Sequence, residues 1–99
     1  MYRILTEDVN EPLLIRIVKE YFSGFTLLHA LGYWQGKPEQ SAVFEIATDD
    51  KQAIERAANN IRVANAQTSV LVQDIPSTDT FVTSTIPQSK PLRSWVEPI

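Results

Sequence analysis

The stretch LGYWQGKPEQSAVFEI, residues 31–46, decides the fold because it joins two strand-like segments through a turn. Residues 25–33 and 41–48 on either side of the turn place apolar side chains at alternate positions, as β-strands do. The Gly-Lys-Pro sequence of residues 36–38 predicts a hairpin loop of roughly four to six residues. The centre of the chain is therefore predicted to be a β-hairpin.

A segment with helical periodicity precedes this hairpin. Asn10 offers a side-chain oxygen as N-cap, and Pro12 suits the first turn of a helix. Apolar residues then recur at spacings of three and four, namely Leu14, Ile17, Val18, Tyr21 and Phe22. We expect this helix to end at Ser23-Gly24, with Gly24 in the left-handed conformation.

A second helical segment follows the hairpin. Asp49 is expected to cap it, with Gln52 as the reciprocal partner of a capping box. Its predicted buried stripe consists of Ala53, Ile54, Ala57, Ala58, Ile61 and Ala64. Residues 2–5 and 68–75 are predicted as the first and last strands. The order is then βαββαβ, which predicts an α+β, ferredoxin-like antiparallel sheet with two helices on one face.

Both faces of this sheet are predicted to be apolar. In the second strand one face carries Phe25, Leu27, Leu31 and Tyr33, and the other carries Leu28, Ala30 and Trp34. Because only one face can be covered by the helices, we expect the other to pack on further copies of the chain, as a dimer or trimer. We assign residues 1–87 to this domain, with an edge strand over residues 80–86, and residues 88–99 to a tail anchored by Trp95 and Val96.

Composition excludes several classes of protein. The net charge is −3 and the nine Lys and Arg residues are spread from Arg3 to Arg93, which argues against a nucleic-acid-binding surface. The absence of Cys excludes disulfides and thiolate metal sites. No apolar stretch is long enough for a membrane span, and the start MYRILTED does not resemble a signal peptide. We expect a cytoplasmic protein with no nucleic acid and no membrane as partner.

The turn of the hairpin carries the main candidate site. Tyr33 and Trp34 are either packing residues at a strand end or aromatic faces on which a planar ring stacks. Glu39 is placed to accept hydrogen bonds from ribose hydroxyls or an amino group. Loops of this kind at a subunit boundary form pockets for small molecules.

Further polar candidates lie near the second helix. Gln67 and Gln73 offer amides to a ligand, and Arg62 lies one turn before the helix end, within reach of a phosphate. Asn65 is interpreted as the helix C-cap. His29, in an apolar strand, is interpreted as a core histidine rather than a metal ligand. The prediction is therefore of no metal and no cofactor.

The run GYWQGKPEQSAVFEI, an Ala-rich helix and AQTSVLVQ together resemble the phage S-adenosylmethionine lyases. That family has a PII-like ferredoxin fold and forms trimers that bind ligand between subunits. Its Tyr before a loop, its Glu at the start of a strand and its Gln before a Val-Leu-Val strand match Tyr33, Glu39 and Gln67. The resemblance covers roughly residues 31–75 and implies a phage protein acting in the host cytoplasm.

Three functions are compatible with these residues. The first is capture of an adenosine- or nucleotide-like ligand between subunits, which in a phage protein would blunt a host defence. The second, implied by the resemblance, is an S-adenosylmethionine lyase in which Tyr33 and Glu39 are the catalytic residues. The third is an oligomeric adaptor without a ligand. Binding ranks above catalysis because the sequence has no acid–base pair in opposed environments.

Overall fold

The computed structural model describes residues 1–76 and Val82. Its elements are β1 (Tyr2–Glu7), α1 (Glu11–Tyr21), β2 (Thr26–Trp34), β3 (Lys37–Ile46), α2 (Lys51–Ala64) and β4 (Leu71–Asp74). The predicted α+β class, with two helices and an antiparallel sheet, is confirmed over this range. The edge strand predicted over residues 80–86, apart from Val82, and the tail over 88–99 lie outside the described residues.

The sheet has the strand order β2-β3-β1-β4, and each neighbouring pair is antiparallel. β1 therefore lies inside the sheet, between β3 and β4. Ile4 is opposite Phe44 on one side and opposite Val72 on the other. This order and these directions are compatible with the ferredoxin-like fold.

The hydrophobic core lies between the two helices and one face of the sheet. Its fully buried large side chains are Ile4, Leu14, Val18, Phe44, Ile46, Ile54 and Ile61. Phe25 packs on Phe44 edge to face, with ring centroids 5.7 Å apart. In the predicted stripe of α2, Ile54, Ala57, Ala58 and Ile61 are buried and Ala53 is half-buried, whereas Ala64 is exposed.

The ends of the helices differ in part from the prediction. Asn10 caps α1 as expected, accepting from the backbone of Leu13 at 3.3 Å. The helix ends earlier than predicted, because Phe22 is extended (φ −136°) and packs against the core. Gly24 is not left-handed, so the predicted glycine cap is wrong.

The cap of α2 is Asp50 and not Asp49. Asp50 accepts from the backbone N–H of Ala53 at 3.0 Å. The hydroxyl of Thr48 accepts from the backbone of Asp50 at 3.1 Å, and this contact places Asp50 at the capping position. Neither helix in residues 1–76 is long and apolar enough to cross a membrane.

The β2–β3 turn is tighter than predicted. It consists of Gln35 (φ 52°) and Gly36 (φ 78°), and two successive positive φ angles are those of a type I′ hairpin turn. β3 consequently begins at Lys37 and contains Pro38, which pairs with Tyr33. Because β1 pairs only with residues 41–46, the tip of the hairpin extends beyond β1. Pro38 is tolerated there since no ladder partner on that side needs its missing N–H.

The sheet face away from the helices is called the open face below. Its apolar side chains are Leu5, Leu28, Ala30, Trp34, Val43 and Leu71. Leu28, Trp34 and Leu71 are 44%, 62% and 55% exposed. At one end of this face Arg3 and Glu45 form an ion pair of 2.7 Å between opposite positions of β1 and β3. The open face therefore carries exposed apolar side chains beside charged ones such as Arg3, Glu39 and Glu45, so the prediction that both sheet faces are apolar is met only in part.

Candidate functional site

An open groove of about 620 Å³ lies between the projecting β2–β3 hairpin and the segment that follows α2. β4 pairs only with residues 2–5, so the end of β1 faces residues 65–69 instead of a strand. Four predicted ligand-binding residues line this groove, namely Tyr33, Trp34, Glu39 and Gln67. The fold therefore brings together residues that are separated by up to 34 positions in the chain.

The hairpin wall offers an aromatic ring and a carboxylate. Trp34 lies on the open face, and so does Glu39, whose register partner is Gly32. Trp34 is largely exposed and Glu39 is half-buried. Tyr33 is adjacent to Trp34 and so points to the opposite face, where it is 68% exposed. Trp34 and Glu39 therefore share the open face, whereas Tyr33 borders the groove from the other side of the hairpin.

Gly32 lines the groove at a position where β2 and the Ser41 side chain approach each other closely. A Cβ at this position would come within 2.7 Å of the Ser41 hydroxyl oxygen. Ser41 in turn donates to the backbone oxygen of Glu39 at 3.4 Å. The glycine lets the Ser41 hydroxyl lie against β2, beside Glu39.

The second wall starts where α2 ends. Asn65 is the C-cap, as predicted, and Ala66 follows with a φ of 55°. The N–H of Gln67 donates to the oxygen of Arg62 at 2.9 Å, and the N–H of Ala66 donates to that of Val63 at 3.1 Å. These two bonds form a Schellman motif, although the left-handed position is normally a glycine. The motif reverses the chain and directs Gln67 toward β1.

Side-chain hydrogen bonds fix this second wall to β1. Oε1 of Gln67 accepts from the hydroxyl of Thr6 at 2.5 Å and from Nδ2 of Asn65 at 2.9 Å. The Asn65 amide also donates to the backbone oxygen of Glu7 at 2.9 Å. Thr6 is buried and Asn65 and Gln67 are half-buried, so the Thr6 hydroxyl depends on these protein partners for its hydrogen bonds. The carbonyl of Gln67 therefore positions the wall and is occupied by protein donors.

Thr6 and Asn65 also line the groove, although neither was predicted as a site residue. β1 was expected to end at residue 5, whereas Thr6 continues its buried alternation after Tyr2 and Ile4. The signal in the sequence is that Thr6, a polar residue, occupies the next inward-facing position of the strand after Tyr2 and Ile4.

Two predicted ligand-binding residues do not line the groove. Arg62 donates from Nε and Nη2 to Oδ1 of Asn59, one turn earlier on α2, at 3.1 and 2.9 Å. Gln73 is opposite Arg3 on the open face. Both residues lie outside the lining because β4 and α2 extend away from the groove at these positions.

His29 is exposed, with 60% of its side chain accessible, so its interpretation as a core residue is wrong. It lies on the helix side of β2, an edge strand, opposite Ala42. Its ring hydrogen-bonds to the Glu11 carboxylate at the start of α1. This hydrogen bond and the negative charge of Glu11, with a further contribution from Asp8, raise the pKa of His29 above its usual 6.5.

Comparison with known proteins adds no assignment. No protein-family model matches the chain, and no curated protein matches it.

Proposed function

We propose that this protein binds an adenosine- or nucleotide-like small molecule in the groove between the β2–β3 hairpin and residues 65–69. The observation that carries the proposal is the presence of Trp34 and Glu39 on one wall of a groove of about 620 Å³. Volumes of roughly 300–1,000 Å³ are typical of sites for such ligands.

Each wall has a separate role in this proposal. The Trp34 indole stacks on the planar base, an interaction that contributes about 1–3 kcal/mol in base-binding proteins. Glu39 accepts hydrogen bonds from ribose hydroxyls or an exocyclic amino group. The Schellman motif and the Thr6–Gln67 bond hold the opposite wall in place, which lowers the entropic cost of binding.

The charge of the groove favours a ligand without phosphate groups. Its described lining contains two carboxylates, those of Glu7 and Glu39, and no Lys or Arg. A phosphate would meet repulsion there, whereas a neutral nucleoside or a cation would not. We therefore rank the adenosine moiety, alone or with a cationic group, above phosphorylated nucleotides.

A second copy of the chain completes the site in this proposal, with the trimer as the favoured assembly. The groove is open in the single chain, and it continues onto the open face through Leu71 and Val43. Exposed Leu28 and Leu71 on that face suit contact with another copy. Such contact would bury these side chains and close the groove over its ligand.

The acidic lining of the groove is also compatible with a second candidate function, that of an S-adenosylmethionine lyase. This substrate carries a sulfonium cation, which carboxylates attract. Its own carboxylate would attack the γ-carbon, and the C–S bond electrons would leave with sulfur, giving homoserine lactone and methylthioadenosine. In that case Tyr33 and Glu39 orient the substrate, and the rate gain comes from holding the reacting atoms together.

The test combines melting with product analysis. Purified protein is mixed with adenosine, AMP or S-adenosylmethionine, and the melting temperature, binding heat and products by mass spectrometry are recorded. A ligand at a hundred times its Kd adds about 2.7 kcal/mol to the free energy of unfolding, which raises the melting temperature measurably. We expect adenosine or S-adenosylmethionine, and not AMP, to do so and to be recovered intact.

Substitutions inside and outside the groove test whether the ligand binds there. Trp34→Ala and Glu39→Gln are expected to weaken binding, whereas Glu55→Gln on the exposed side of α2 leaves it unchanged. Homoserine lactone among the products would replace the binding proposal by the lyase. No ligand effect in any mixture, with oligomers present by light scattering, would leave the adaptor as the function.

A further inference from the structure

Three potential metal ligands converge from three different elements. Asp8 lies in the loop after β1, Glu11 is the first residue of α1, and His29 is in the middle of β2. One ligand atom from each lies within 4.8 Å of those of the other two. None of the three lines the groove, so this cluster is separate from the proposed binding site.

We propose that Asp8, Glu11 and His29 form a binding site for a divalent transition-metal ion, with Zn²⁺ as the representative ion. One imidazole nitrogen and two carboxylate oxygens are a ligand set that zinc accepts. Hard cations such as Mg²⁺ and Ca²⁺ prefer oxygen ligands alone, so the imidazole selects against them.

The backbone around the cluster is held by hydrogen bonds. The N–H of Asp8 donates to the backbone oxygen of Gln40 at 2.9 Å, which fixes the loop to β3. Asn10 caps α1 and so fixes the helix start that carries Glu11. His29 is paired through β2 with Ala42. The three Cα positions are therefore fixed before an ion arrives.

The side chains retain room to adjust. His29 is exposed, and Asp8 and Glu11 are half-buried. Zinc requires the three ligand atoms at roughly 2.0–2.2 Å from the ion, and rotation about the side-chain bonds is the adjustment that the proposal needs. Three protein ligands leave a fourth position for water.

Charge balance supports an ion rather than a simple ion pair. A protonated imidazole neutralises only one carboxylate, and within residues 1–76 no Lys or Arg lies within 4.0 Å of the Asp8 or Glu11 carboxylate. Two carboxylates that share a site repel each other. A divalent ion balances both charges.

The composition of the chain makes the test sharp. His29 is the only His and the chain has no Cys, so a zinc ion bound through an imidazole or a thiolate must engage this one side chain. Zinc chloride is titrated into the chelator-treated full chain, followed by calorimetry and by the NMR resonances of the His29 ring. We expect saturable binding that shifts both ring nitrogens.

Matched variants decide the proposal. His29→Ala and Asp8→Asn are expected to weaken zinc binding by about tenfold or more. Asp49→Asn, an exposed Asp just before the other helix, is the control and should bind like the unaltered chain. Circular dichroism verifies that each variant folds. The proposal is overturned if millimolar zinc leaves the His29 resonances unchanged, or if His29→Ala binds as tightly as the control.

Discussion

Thr6 donates its hydroxyl hydrogen to Oε1 of Gln67 at 2.5 Å, and this bond joins the end of the first strand to the segment that follows the second helix. Thr6→Val keeps the shape of the side chain and removes the donor. We expect a loss of about 1–3 kcal/mol in the free energy of unfolding, because Gln67 and Asn65 lose a buried partner. Urea denaturation measures it. Thr26→Val, at an exposed position of β2, is the control, and an equal effect of both variants would contradict a special role for Thr6.

Ala66 occupies a backbone conformation that favours glycine. With a φ of 55° it carries the strain of a left-handed L-residue, so Ala66→Gly should stabilise the protein by about 1 kcal/mol. Ala64→Gly, two residues earlier and within the helix, should destabilise it by roughly 0.5–1 kcal/mol. Thermal melts of both variants test whether the two substitutions change the stability in opposite directions. The same sign for both would show that the Schellman motif does not form.

Gly36 and Gly24 should respond oppositely to alanine. Gly36→Ala places a Cβ at a φ of 78° in the type I′ turn, which costs about 1–2 kcal/mol. At Gly24 a Cβ has nothing within 4 Å and φ is not positive, so Gly24→Ala should be neutral or stabilising by up to about 1 kcal/mol. Chemical denaturation compares the two variants. A four-residue or longer loop at the hairpin tip would instead make Gly36→Ala harmless.

The titration of His29 reports on its contact with Glu11. NMR titration in the presence of a chelator should give a pKa above 6.5, and Glu11→Gln should lower it because both the hydrogen bond to a carboxylate and the negative charge are lost. The folded pKa exceeds the unfolded one, so the contact stabilises the protein fully below pH 6.5. That contribution disappears as the pH rises through the folded pKa. A pKa unchanged by Glu11→Gln would show that the two side chains are not in contact.

Periodicity in the sequence predicted the elements better than their ends. The alternation of residues 41–46 and the stripe of α2 both appear in the structure, because burial of an apolar face determines them. The turn at Gln35-Gly36 was missed since Gln, unlike Asn or Asp, is a weak signal for a type I′ turn. In the sequence, Asp49 and Asp50 are equally suitable N-caps for α2. In the structure, the hydrogen bond from the Asp50 backbone N–H to the Thr48 hydroxyl places Asp50 at the capping position.

The site was predictable to a similar degree. Trp34 and Glu39 stand out near a hairpin, and the register of the strands is what places them on one face. The environment of His29 depends on how far α1 covers an edge strand. Strand alternation cannot supply that information, because it gives the face and not the depth of burial.

The position of β1 inside the sheet bears on how the chain folds during synthesis. Arg3 pairs with Glu45 on one side and with Gln73 on the other, so β1 leaves the ribosome before both of its neighbours and stays unpaired until they follow. The β2–β3 hairpin, by contrast, closes between adjacent residues and can form early. Contacts between distant residues close slowly, and strand edges left without partners promote aggregation. A nascent chain that stops before residue 71 would expose one edge of β1, and the arrival of β4 is the step that ends this exposure.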